Sequence, residues 1–204
     1  MSDQFVFIAE GMADISARMR EMENVPLKAS MALNDALAWA RTQAKDLMLK
    51  EVDWPSSYLN PGEKRLTIAE YASPDNLRGV IKGTDRPTSL ARFVRGGNGT
   101  KNSPLSVSVG RGKPSVRLPG AFLMRLRSGN TGALGNQGLA MRTKNGQAPH
   151  AAWRPKQIGK NLYLLYGPSV DQVFRQVLDR DTAFAEKVTV HLDAEFRRLL
   201  GVNL

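Results

Sequence analysis

One serine, four carboxylates and two histidines are the side chains whose type and spacing invite a catalytic reading. Ser169 stands in Gly167-Pro168-Ser169-Val170-Asp171, where an apolar run gives way to a helical pattern. The strained turn that exposes a nucleophilic serine is built as Gly-x-Ser-x-Gly, and here Asp171 occupies the place of the second glycine. Capping accounts for Ser169 without catalysis: its hydroxyl is placed to accept from the N–H of Gln172, while the Gln172 side chain reaches back to the Ser169 N–H. Asp179, Asp181, Asp193 and Glu195 have the chemistry of a two-metal nuclease. Asp193 and Glu195, however, are two residues apart and diverge on a helix, and no histidine or lysine signature links them to the first pair. His150 and His191 lack the His-x-x-x-His spacing of a zinc site, His191 reading as a partly solvated helix residue, and the absence of cysteine removes thiolate ligands and disulfides. The glycines at 96–99 and 110–112 have neither of the phosphate-binding spacings that precede a helix. The expectation is a protein that is not an enzyme and that uses no metal or cofactor.

Charge carries more information. The chain has 29 Lys+Arg against 19 Asp+Glu, a formal net charge of +10, and such an excess favours a polyanionic partner or serves solubility alone. Lys101, Arg111, Lys113, Arg117, Arg125, Arg127, Arg142 and Lys144 are spread over predicted turns and strands, with no recognition helix and no ladder of aromatic residues between them. This pattern suits phosphate contact, which positions a protein on a duplex without reading bases. It equally suits solvation, or acidic patches on a neighbouring subunit.

The elements that must hold these residues follow from periodicity. Phe5 to Ala9 reads as an edge strand, and Met12, Ile15, Met19 and Met22 as a short helix. Pro26 opens a long helix from about Leu27 to Lys50, with Leu33, Leu37, Ala40, Ala44 and Leu47 as its apolar stripe. Strands are expected near residues 64, 77, 105, 115, 122, 139 and 162, with Leu90 and Phe93 tucking a short irregular segment onto the core. Gly167-Pro168 ends the strand that starts at Leu162, because proline has no N–H to give. Val170, Val173, Phe174 and Val177 then share a helical face. Asp181 or Thr182 starts a final helix with Phe184, Val188, Leu192, Phe196 and Leu199 in line, and Gly201 stops it. The fold class is α+β, with N-terminal helices, one mostly antiparallel β-sheet with long loops, and C-terminal helices. At 204 residues and 42% hydrophobic content one domain, 1–204, is expected, with flexible loops near 95–104 and 127–160. No apolar run has the length of a membrane span and no signal-like start is present, so a soluble protein without membrane partners is expected.

Two motifs carry a resemblance. Tyr166-Gly167-Pro168-Ser169-Val170 is similar to a turn of the minor tail protein Z family of tailed bacteriophages, the tail-completion or neck proteins. Leu118-Pro119-Gly120-Ala121-Phe122, followed by alternating residues to Arg127 and then Gly129, resembles the Pro-Gly-Ala-Phe strand of the same family. Pro119, Gly120, Gly167, Pro168, Ser169 and Gln172 are the structural turn and capping positions within these motifs. The resemblance implies a structural virion protein of the neck or proximal tail, a homo-oligomeric ring of six copies. Its implied partners are head-closure, tail-terminator or tube proteins, with genome DNA in the channel. The implied location is the virion, reached from the host cytoplasm, and the family brings no catalytic residues. A non-sequence-specific DNA-binding accessory protein is the alternative.

Overall fold

A computed structural model describes residues 5–7, 24–126, 137–144 and 147–201. Their contacts cluster into two compact units: Met1–Met48, Leu59–Thr84 and Phe174–Leu204 form unit 1, and Leu49–Tyr58 with Asp85–Val173 form unit 2. A long helix ahead of most of the strands, helices after them and antiparallel pairing throughout make the fold α+β.

Unit 1 is organised on helix α1 (Val25–Glu51), about 40 Å long at 1.5 Å per residue. Its stripe is wider than the leucine spacing predicts. Ala29, Ala32, Ala36, Ala40 and Ala44 are fully buried, and Met48 takes the buried position expected for Leu47, because 3.6 residues per turn carries the stripe past a strict alternation of threes and fours. Alanine lets backbone come close. A three-stranded sheet of β1 (Phe5–Phe7), β3 (Gly79–Gly83) and β2 (Leu66–Glu70), in that order, has β3 at its centre, and a Cβ added to Gly79 would stand 2.0 Å from Leu37 Cδ1. Polar stitches fix the same helix. The Asn34 amide donates to Ala72 O at 3.0 Å and accepts from Ala72 N–H at 2.8 Å, and the Arg41 guanidinium donates to Leu66 O and Leu59 O, both at 2.8 Å. Burial holds Arg41 below its ordinary pKa, with the Tyr71 phenol acting in the opposite direction.

Unit 2 contains two small sheets. Strands β4 (Val94–Gly96), β5 (Leu105–Val107) and β6 (Val116–Leu118) pair in that order, and β7 (Ala121–Arg125), β8 (Gln137–Arg142), β10 (Leu162–Leu165) and β9 (Lys156–Gly159) form the second. Pro119-Gly120 carries the chain from one to the other, with Gly120 at φ +79, a conformation that L side chains rarely adopt. Leu90 and Phe93 lie in a short 3-10 turn, both fully buried as expected. A Cβ on Gly167 would meet Phe93 at 3.2 Å and Leu90 at 3.3 Å, so the turn after β10 closes directly onto those side chains.

Helix α2 (Val170–Arg180) and helix α3 (Phe184–Leu200) complete the described elements. Val170, Val173, Phe174 and Val177 are all buried, as their spacing requires. On α3, Phe184 and Leu192 are buried and Val188, Phe196 and Leu199 half-buried, and Gly201 terminates it at φ +75.

Several expectations are corrected. The seven expected strands do not form one sheet but divide among three, since strands of three to six residues interrupted by bulges do not extend a common ladder. The segment near 127–160, expected as a flexible loop apart from the strand near 139, contains a 3-10 turn at Ala151–Trp153 and strand β9. The flexible loop expected near 95–104 overlaps strand β4 at its start, and within it the Asn98 and Gly99 N–H groups donate to Ser103 O while Asn98 Oδ1 accepts from Thr100. Helix α3 starts after Ala183, without a side-chain cap. The helix expected at 12–22 lies outside the described residues.

Candidate nucleic-acid interface

The surplus positive charge belongs to one unit. By the segment boundaries, unit 2 holds 15 Lys and Arg against 4 Asp and Glu, whereas unit 1 holds 14 against 15. From Arg86 to Val170 the chain has no acidic residue at all. A total of +10 conceals this division, and counting charge by segment reveals it.

Lys101, Arg111, Lys113, Arg117, Arg125, Arg142 and Lys144 are all exposed, and Arg127 lies outside the described residues. They do not all share one sheet face. Arg117 pairs with Ser106 across β5 and β6, a small neighbour that leaves its guanidinium uncovered. Arg125 faces Gln137 at the start of β8, while Arg142 ends that strand five residues later, roughly 16 Å away and on the other sheet face by the period of two.

Arg111 and Lys113 are held most closely. Their turn is pinned to residues 51–53 of the same unit: Arg111 N–H donates to Glu51 O at 3.1 Å, Asp53 N–H donates to Val109 O at 2.8 Å, and Val52 bridges Gly110. Ser108 Oγ donates to Lys113 O at 3.2 Å. The Lys113 stem covers Gly110, where a Cβ would meet its Cδ at 2.6 Å. Arg95, on β4, joins this group. Its Nε donates to Asp53 Oδ2 at 3.0 Å, its Nη2 donates to the same oxygen and also to Asp53 O at 3.0 Å, and Arg111 Nε stands 4.0 Å from Asp53 Oδ1. Neither Arg95 nor Asp53 is marked by any local motif. The acid-free interval is the signal that would have drawn attention to Arg95.

At the second motif, Gln172 N–H donates to Ser169 Oγ at 3.1 Å, as predicted. The reciprocal half of the capping box is replaced, because Gln172 Oε1 accepts from Arg154 Nη2. Pro168 O accepts from Thr88 N–H, and Gly167 N–H donates to Thr88 O at 2.8 Å. Ser169 is thus buried and occupied as a cap.

The carboxylates do not converge on a two-metal arrangement. Asp181 pairs with Lys187, Asp193 with Arg197 and Glu195 with Arg198. His191 is a half-buried helix residue, as expected, and it is engaged: its ring stacks on Trp39 at 4.7 Å and its Nε2 lies 3.1 Å from Asp35 Oδ2. Asp35, His191 and Glu195 offer ligand atoms within 4.8 Å of one another, the one such grouping among the described residues. Arg198 already neutralises Glu195, and that hydrogen bond raises the Arg198 pKa. His150 accepts from Ala152 N–H through Nδ1 and caps a 3-10 turn. Among the described residues no helix is long and apolar enough to cross a membrane.

Compared with protein-family models, curated proteins and solved structures, the chain matches none.

Proposed function

We propose that this chain is a structural protein of the phage neck or proximal tail, a ring of six copies that completes the tail and joins it to the head around the DNA channel. Support comes from the order of the two motifs, Leu118-Pro119-Gly120-Ala121-Phe122 before Tyr166-Gly167-Pro168-Ser169-Val170, each at a turn that its residues explain physically. The observation that carries the DNA-facing part is the concentration of charge in unit 2, 15 basic residues against 4 acidic, presented from strands and turns. Head-closure, tail-terminator or tube proteins are the partners of such a ring. Closure requires one face of each copy to complement a different face of the next. A basic lumen holds a genome end by its phosphates without regard to sequence.

Electron microscopy of the native particle tests the assignment, with this chain expected as a ring at the head-proximal end of the tail. Its absence from particles removes the proposal. Charge reversal at Arg111 and Lys113 tests the channel role: particles carrying R111E/K113E are expected to lose DNA retention or ejection, and unchanged particles refute that role. The same charge distribution favours a second reading, a DNA-binding accessory protein without sequence preference. That protein retards duplex DNA as a free monomer, with affinity falling steeply as salt rises.

A further inference from the structure

We infer that Asp53 arranges Arg95 and Arg111 into a two-guanidinium site for one phosphate group of a nucleic-acid backbone. This rests on unit 2 facing a polyanion, and it assigns the position of one contact and the residue that builds it. Asp53 is the acidic residue against which both arginines lie. Arg95 presents its Nε and Nη2 edge to the carboxylate, which leaves the Nη1 end without a hydrogen bond among the described residues. Arg111 approaches the other carboxylate oxygen only to 4.0 Å, beyond hydrogen-bonding distance, so its planar fork keeps its donors. Their side chains are 44% and 57% exposed and open to a ligand, Arg95 tethered to Asp53 by hydrogen bonds and Arg111 drawn to the same carboxylate by charge alone.

The backbone beneath them is fixed as well. Asp53 N–H on Val109 O and Arg111 N–H on Glu51 O lock residues 51–53 to residues 109–111, so the carboxylate and the Arg111 turn hold their relative places. Arg95, Arg111 and Lys113 stand at this corner against the acidic residues Glu51 and Asp53, three cations to two carboxylates, which leaves a small surplus of positive charge. Arginine suits such a task because its rigid fork matches phosphate oxygens, and a fork already held in place loses less rotamer freedom on binding.

The site makes an unusual demand on a negative residue. If attraction were set by net charge alone, removing the Asp53 charge would tighten binding to DNA. If Asp53 orients the guanidiniums, removing it loosens them and weakens binding. Asp53 is a positioning residue here.

The test is fluorescence anisotropy of a labelled short DNA duplex titrated with the full chain over a range of NaCl concentrations. Expected for D53N is a loss of about three- to tenfold in affinity, the net weight of one ordinary hydrogen bond. R95K keeps the charge but loses the fork, and a similar loss is expected. R95A and R111A should each reduce the magnitude of the salt slope by about 1. Wild-type binding with D53N equal or tighter, and R95K unchanged, overturns the site and leaves the polyanion reading standing. A wild-type chain that leaves DNA free at low salt removes both. Circular dichroism confirms folding of each variant, and R95K, altered at an exposed side chain, decides the matter should D53N fail to fold.

Discussion

Replacing Gly79 by alanine is expected to destabilise unit 1 through a clash with one identified side chain. The added Cβ would lie 2.0 Å from Leu37 Cδ1, 2.8 Å from Cγ and 2.9 Å from Cδ2, so the whole isobutyl group must move. Leu37 is only 2% exposed and has little free space to enter. Overpacking of this kind costs about 1–3 kcal/mol, partly offset by about 0.4–1 kcal/mol from the stiffer unfolded chain. Leu37→Ala alone opens a cavity and costs about 2–5 kcal/mol. In the double variant the clashing atoms are gone and the methyl introduced on β3 occupies part of the space, so the two effects should fall short of their sum by about 1–3 kcal/mol. Urea denaturation followed by far-UV circular dichroism gives the four stabilities, and amide hydrogen exchange of α1, β2 and β3 reads unit 1 separately from unit 2. A double variant whose destabilisation equals the sum of the singles would refute the close approach of β3 to α1 at Leu37.

Three further outcomes are expected. Arg41→Met leaves the carbonyls of Leu59 and Leu66 without their donors and should cost about 2–4 kcal/mol by the same denaturation measurement. Ser169→Ala should cost about 0.5–2 kcal/mol through loss of the cap, while Gln172→Ala leaves the cap intact and should cost clearly less, because its side chain serves Arg154. Gly97→Ala, at φ +85 with Pro104 O 2.1 Å from the new Cβ, should cost about 1–3 kcal/mol and speed hydrogen exchange in residues 97–105, and unchanged exchange there would contradict the close approach.

The helices were legible because their apolar positions recur over several turns. Phe184 and Leu192, or Val170 and Val173, announce a buried face from spacing alone, and one register error remained, at Leu47 against Met48. Most strand positions were legible to within a few residues, but β4 and β9, short and with no alternating apolar pattern, were not, and neither were strand partners. Leu105–Val107 or Val116–Leu118 is too short for its pattern to name a neighbour, and Pro119-Gly120 reads the same whether it closes a hairpin or passes the chain to another sheet. The candidate interface was half legible: exposed arginines and lysines follow from polarity, whereas Asp53 lies 42 residues from Arg95 and 58 from Arg111, a separation that no local motif spans.

The discontinuous division of the chain has a consequence for its synthesis. A ribosome releases residues 49–58 and 85–173 before residues 174–204, so every segment of the basic unit emerges while unit 1 still lacks its third piece. Domains fold as units when their last segment becomes available. The unit with 15 basic residues therefore has its full sequence first, in surroundings rich in ribosomal RNA, and α3 arrives last to close the unit that is nearly neutral. A product truncated after Arg180 would carry every segment of the basic unit while unit 1 lacked α3.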